Sequence, residues 1–267
     1  TQMPTDQNTS AASHEADKYI GAHPPEFSPQ EVAQIAQHSF GVTGTLSPLW
    51  GERDQNMALH SQTGPSHVLK ISNAREDPKD LDLQLQALMW LEETAPDIPV
   101  PRLCRTLDGE MTTQIMGTNG DAHTVHCITM LDGVQFGEAA SGCAAVEAAG
   151  ALAGATTAAL AGFFHPSAGH ALFWDVRHIH AFEHHAHKIR DSVLARTAQA
   201  EIHRFQTETL PALSRLRAQI IHHDSNPSNI LVDPNAPTRM TGIVDFGDAL
   251  HGPVALDAAV AALEMAT

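Results

Sequence analysis

Residues 222–229 read HHDSNPSN, and sixteen residues after Asn229 the chain reads DFGD, residues 245–248. The first stretch lies between the apolar lead-in QII (219–221) and the run ILVD (230–233), and the second closes MTGIVDFGD (240–248). Short apolar runs bounded by turn residues predict two strands. If those strands pair, the polar residues are held on a loop fixed at both ends, and Asp245 comes to lie beside Asn229. That arrangement suits phosphoryl transfer from a nucleotide. Asp224 would orient an attacking hydroxyl and take its proton, while Asn229 and Asp245 offer hard oxygens to Mg2+ on the phosphates. A metal-dependent hydrolase built from His222, His223, Asp224 and Asp245 is one rival reading, and it leaves Asn229 without a task; a nucleotide-binding domain of a larger protein, without turnover, is the other. His222 itself fits a hydrogen-bonding role in the loop better than proton transfer.

Composition narrows the partners. With 31 acidic against 15 basic side chains in 267 residues, the formal charge is −16, which disfavours a nucleic-acid partner. A cationic small molecule or a metal-bound ligand fits better. Cys104, Cys127 and Cys143 are odd in number and show no CxxC spacing, which predicts buried free thiols in a reducing compartment. No apolar run approaches the roughly 20 residues that span a bilayer, and no basic-then-apolar leader is visible, so no membrane partner and a cytoplasmic location are expected.

Upstream, residues 1–26 are polar and proline-containing, which predicts a disordered or lead-in arm. Ser28, Pro29 and Glu31 predict a capped helix stopped at Gly41. TGTLSPLW (43–50), QNMALHSQ (55–62) and SHVLKIS (66–72) read as an antiparallel meander. Residues 77–95 carry apolar side chains at helical spacing, and MTTQIM (111–116) and HCITML (126–131) read as strands. From Gln135 the character changes to an Ala-rich stretch followed by residues 174–219, largely helical in pattern. The expected fold is therefore α+β and bilobal, with a small antiparallel-sheet N-lobe over residues 27–132 and a larger, mainly helical C-lobe over 133–267. Within that C-lobe His180, His184 and His187 fall at i, i+4 and i+7 of a predicted helix, flanked by His178 and His185. One helix face could bind a transition metal there, although a solvated face is the favoured reading because HExxH and a nearby cysteine are missing.

His222-x-Asp224-x-x-x-x-Asn229 followed by Asp245-Phe246-Gly247-Asp248 resembles the aminoglycoside phosphotransferase and choline kinase family, small-molecule kinases with a protein-kinase-like fold. GERDQN (51–56) before HVLKIS looks like a nucleotide-covering hairpin and lysine strand, ITMLDG (128–133) like the hinge, and FFHPSAGHALFWDV (163–176) like a C-lobe segment. ERDQN, Gln84 within LDLQLQAL, and VDFGDALHGPVALDAAVA look most like the hydroxylysine-kinase-like branch. The resemblance implies Asp224 as catalytic base and Asn229 and Asp245 as ligands of Mg2+ or Mn2+ carried with ATP or GTP. It further implies nucleotide contacts by Lys70, by Gly51, Glu52, Arg53, Asp54, Gln55 and Asn56, by Gln84 and by the hinge residue Met130. Asp248 and Asp257 are the acceptor-side candidates. Three positions depart from the pattern. His223 stands where the family usually has Gly, and Gln84 stands where many kinase-like folds place a glutamate, so that Lys70 is expected to gain a hydrogen bond instead of an ion pair. The sequence given ends at AALEMAT (261–267), where the family continues with helices that wall the acceptor site.

Overall fold

Ser28 opens the first helix through both halves of a capping box. Its hydroxyl accepts from the Glu31 N–H at 3.3 Å, and Glu31 Oε2 accepts from the Ser28 N–H at 2.7 Å. The helix, α1 (Pro29–Phe40), buries Val32, Ala36 and Phe40, four residues apart, and ends at Gly41 with φ 67°. The computed structural model describes residues 24–139, 141–172 and 174–265; the expected arm lies outside these as far as residue 23.

The meander forms as β1 (Thr45–Leu49), β2 (Gln55–His60) and β3 (His67–Ile71), joined by β4 (Leu103–Cys104), β5 (Thr113–Met116) and β6 (Ala122–Thr129). All pairings are antiparallel, in the order β1-β2-β3-β6-β4, with β5 on the remainder of β6. Pro48 sits on edge strand β1, where a missing N–H costs no ladder bond. Leu69, Ile71, Val125 and Cys127 pack with Val32, Ala36 and Phe40 of α1. Because side chains alternate along a strand, Lys70 and its register partner His126 point to the opposite face.

That opposite face meets α2 (Pro78–Thr94), which is capped by Asp77 and buries Leu81, Leu83, Gln84, Leu85, Ala87, Leu88 and Leu91. Burial on so many sides marks a helix wedged between two bodies. Leu88 and Leu91 share one core with Ile230, Val232, Ile243 and Phe246, which belong to the site strands β9 (Ile230–Asp233) and β10 (Ala236–Ile243) and to the DFGD turn. The second lobe is completed by β7 (Val134–Gln135), α3 (Cys143–Ala159), α4 (Ser192–Arg204), β8 (Ala218–Ile221), β11 (Leu250–Pro253) and α5 (Val254–Met265). Two small sheets, β10-β9-β7 and β11-β8, carry the site loops. No helix of the described residues is long and apolar enough to cross a membrane.

Residues 176–188 differ from expectation. They form a 3-10 helix, and α-helix begins only at Ser192. Five histidines together with Val176 and Ile179 give this stretch weak α propensity, and Asp175 pins its start by accepting from the Arg177 N–H. With three residues per turn, His180, His184 and His187 no longer share one face. The thiols differ as well: Cys127 is buried, Cys104 half-buried and Cys143 exposed.

Candidate active site

β9 and β10 pair as the apolar runs require, with Ile243 opposite Ile230 and the Val244 N–H donating to the Asn229 carbonyl at 2.9 Å. Asn229 and Asp245 are thereby set side by side. The Asn229 side-chain amide donates to Asp224 Oδ2 at 2.6 Å and to the Asp224 carbonyl at 3.0 Å. Asn226 donates to the other carboxylate oxygen, Oδ1, at 2.7 Å. Asp224 is thus fixed by two neutral amides, and Asn229, having spent its N–H2 on Asp224, keeps its oxygen for another partner.

The loop is held from below by side chains that carry no exposed chemistry. The buried His222 accepts from the Asp224 N–H at Nδ1, 3.2 Å, and donates from Nε2 to the Val244 carbonyl, 3.0 Å, so the two strand ends are pinned by one ring. This ring packs against Phe246 of DFGD, with centroids 4.6 Å apart. Both nitrogens are occupied, which removes His222 from the hydrolase reading. His223 adopts φ 67°, the left-handed backbone that glycine takes without cost, and its ring is buried near Asp175. Asp175, fully buried, forms an ion pair with Arg177 at 2.6 Å, and Arg177 reaches the His251 carbonyl. Asp245 is the other non-glycine residue at positive φ (63°) among the described residues. Backbone strain is therefore concentrated in the two site loops.

Asp257 departs from its expected place in the acceptor cleft. It is buried on α5, where its carboxylate accepts from the His223 N–H at 2.6 Å, the His222 N–H at 3.3 Å and the Thr157 hydroxyl at 2.7 Å. Its oxygens are consumed in holding the loop backbone. Sequence reasoning missed this task, and it missed Asp175, although an aspartate preceding a helical pattern is a cap signal.

Across the cleft, Lys70 Nζ lies 3.8 Å from Asp245 Oδ1. Burial alone would lower the Lys70 pKa, but the carboxylates of Asp245, Asp54 and Glu76 more than offset it, and the ammonium is held above its ordinary value. The Lys70 charge in turn holds the Asp245 carboxyl below the usual range, so both charges persist at neutral pH. Gln84 does not take part: among the described residues no hydrogen bond joins it to Lys70, and it lies buried along the apolar flank of α2. Glu76, ahead of α2, is pushed up to about 7 by burial and is paired with Arg53 at 3.4 Å.

The hairpin turn uses most of its residues to build itself. A Cβ on Gly51 would collide with the Asp54 carbonyl, and Asn56 donates to the Trp50 carbonyl at 3.1 Å. Asp54 accepts from the Asn73 N–H at 2.9 Å. Gln55 pairs at both ends of its amide with Phe27, at 2.8 and 2.7 Å, and so anchors the chain entering α1. These contacts correct the expectation that Gln55 and Asn56 present their side chains to a nucleotide. Glu52 is exposed, and Arg53 pairs with Glu76. At the hinge the Met130 N–H donates to the Ser66 carbonyl at 2.8 Å, completing the β3–β6 ladder, which leaves the Met130 carbonyl as its backbone group for a base.

Asp248, on the turn after Asp245, accepts from the Trp174 indole N–H at 2.5 Å. Burial, then the charges of Asp224 and Asp245, push its pKa up to about 7. Three carboxylates therefore crowd one side of the cleft. Among the described residues no group of three His, Cys, Asp or Glu side chains is arranged to hold a metal ion, the histidines of residues 176–188 included. The Asn229 oxygen and the ionised Asp245, in contrast, are hard donors of the kind that Mg2+ or Mn2+ takes together with phosphate oxygens.

A bilobal kinase-like fold with a carboxylate, an amide and a paired lysine converging on its cleft defines a small-molecule phosphotransferase acting on a hydroxyl acceptor. The chain belongs to the phosphotransferase enzyme family (APH), whose pattern matches residues 45–267. Hydroxylysine kinase of Mus musculus is 26% identical over 265 residues, covering 90% of this chain and 70% of that protein. Hydroxylysine kinase of Danio rerio is 23% identical over 253 residues, covering 90% and 71%. Among solved structures, a microcompartment-associated aminopropanol kinase superposes with a TM-score of 0.67 at 20% identity, covering 88% of this chain and 74% of that one. An amicoumacin kinase in complex with AMP-PNP and Ca2+ gives 0.64 at 16% identity, covering 88% and 68%.

Proposed function

We propose that this enzyme moves the γ-phosphoryl group of ATP or GTP to the hydroxyl of a small amine-bearing alcohol, of the hydroxylysine-like, aminoglycoside or choline and ethanolamine class. The observation that carries the reading is the convergence of Asp224, Asn229, Asp245 and Lys70 on one cleft. Asp224, steadied by Asn226 and Asn229, orients the acceptor hydroxyl and receives its proton. As the acceptor oxygen bonds to the γ-phosphorus, the bond from that phosphorus to the β-γ bridging oxygen breaks, and the nucleoside diphosphate leaves. Lys70, and with it Arg53, would contact the phosphates. Bound through Asn229 and Asp245, Mg2+ or Mn2+ would supply neutralisation of phosphate charge.

The amine preference rests on the cleft acids. Asp248 is pushed upward partly by Asp224 and Asp245, which means that a positive group would relieve repulsion already present. A protonated amine between Asp248 and the Trp174 ring would meet both an anion and an aromatic face. Comparing kcat/KM for 5-hydroxylysine, ethanolamine, choline, homoserine and a neutral sugar, with ATP and with GTP, tests this. The amines should lead and should lose part of their advantage at high salt, because screening weakens steering. A neutral sugar in first place, without salt dependence, would refute the amine preference and leave the phosphotransferase standing.

Asp248 also sets a pH dependence. With its pKa raised to about 7, its charge is present above that pH and is lost as pH falls through it. KM for an amine acceptor should therefore rise below pH 7 in the native chain, and Asp248→Asn should show a high KM with that rise removed. An unchanged acid limb in Asp248→Asn would detach Asp248 from the acceptor.

A further inference from the structure

Antiparallel pairing places Cys104 of β4 directly opposite Cys127 of β6, and both side chains belong to the packing layer under α1. Directly opposed residues in an antiparallel pair have Cα atoms roughly 4.5–5.5 Å apart, inside the range that a disulfide spans. The register and the shared packing layer put both side chains on the same face of the sheet. Cys143, at the start of α3, is exposed and belongs to a different lobe. We propose that Cys104 and Cys127 are a dithiol modification site, converted by a mild two-electron oxidant such as hydrogen peroxide into a reversible cross-strand disulfide.

The two thiols differ in the way the chemistry requires. Cys104 is half-buried and reachable, and the Cys127 S–H stabilises its thiolate, holding its pKa below the ordinary thiol value. Cys127 is buried and keeps its proton. Cys104 thiolate therefore attacks the peroxide O–O bond, forming a sulfenic acid and releasing hydroxide, which takes a proton to become water. The Cys127 sulfur then bonds to the sulfenic sulfur, the S–O bond breaks, and the oxygen leaves as a second water with the Cys127 proton. Two thiols and one peroxide give one disulfide and two waters. Reduction by a dithiol reverses it.

The bridge would also reach the lobe junction. β4 continues from the segment in which the Pro99 carbonyl accepts from the Ile243 N–H, two residues before Asp245, and the Arg102 N–H donates to the Thr129 hydroxyl beside the hinge. Fixing β4 to β6 should therefore slow turnover, an effect that rests on the proposed function, whereas the thiol chemistry does not. The test uses the full chain carrying Cys143→Ser, treated with peroxide, then denatured for thiol titration and non-reducing peptide mapping. Its two remaining thiols should fall to none within a monomer, with one linked peptide joining residues 104 and 127. Dithiothreitol should restore both thiols and the initial turnover. Cys104→Ser in the same background should keep its buried Cys127 thiol through the same treatment. Two surviving thiols, covalent dimers, or sulfinic acid at Cys104 with Cys127 still free would each overturn the site. A linked peptide with unchanged turnover would overturn its connection to the lobe junction.

Discussion

Asp224→Asn should lower kcat by roughly 10²–10⁴-fold while nucleotide affinity stays within a few-fold of the native chain, since a general base acts in the transition state. That range corresponds to about 3–5 kcal/mol of transition-state stabilisation. The geometry makes the substitution informative. Both Asp224 oxygens accept from amides, Asn226 at Oδ1 and Asn229 at Oδ2, so the new side chain can satisfy one of them and must turn an N–H2 towards the other. If the N–H2 faces Asn226, the Asn229 contact survives and only proton transfer is lost. Single-turnover kinetics with separate nucleotide titration distinguish these cases. Nucleotide affinity falling as far as turnover would make Asp224 a phosphate-side or metal-side residue and end its assignment as the base.

The parts that local rules govern were legible in the sequence. Ser28 with Glu31 wrote the start of α1, alternation wrote β2 and β3, and the two runs around HHDSNPSN and DFGD wrote the β9–β10 pairing that sets Asn229 next to Asp245. Side-chain allegiance inside the site was less legible, because it is decided by burial across long sequence separations. Asp257 reads as one more acid near the chain end, yet α3 and α5 close around it and turn it onto the backbone of residues 222 and 223. Gln55 reads as part of a nucleotide box, yet Phe27, twenty-eight residues earlier, takes its amide. Gln84 reads as a hydrogen-bond partner for Lys70, yet it lies buried along α2, and the carboxylates that act on Lys70 belong to Asp245, Asp54 and Glu76. The histidine stretch failed for another reason: the i, i+4 rule holds only when the backbone winds at 3.6 residues per turn, and residues 176–188 do not.

Asp245→Ala should reduce phosphoryl transfer by about 10³-fold or more, and EDTA should do the same to the native enzyme, with Mg2+ or Mn2+ restoring it. Two losses combine in the substitution. An ionised oxygen donor disappears from beside Asn229, and Lys70 loses the carboxylate 3.8 Å away that does most to keep a buried ammonium charged. Nucleotide affinity should therefore weaken together with kcat, unlike the pattern expected for Asp224→Asn. The backbone must be controlled separately, because residue 245 sits at φ 63°, where alanine is strained by roughly 1–2 kcal/mol and asparagine much less. Asp245→Asn keeps the turn and one oxygen while removing the charge, so a comparably large loss in that variant assigns the effect to charge and not to a disturbed loop. Thermal melting of both variants checks that the lobe remains folded. Full activity of Asp245→Ala at ordinary Mg2+ would sink the metal-side assignment. Recovery with Zn2+ alone would return the argument to a histidine-based site, against which stand the occupied nitrogens of His222.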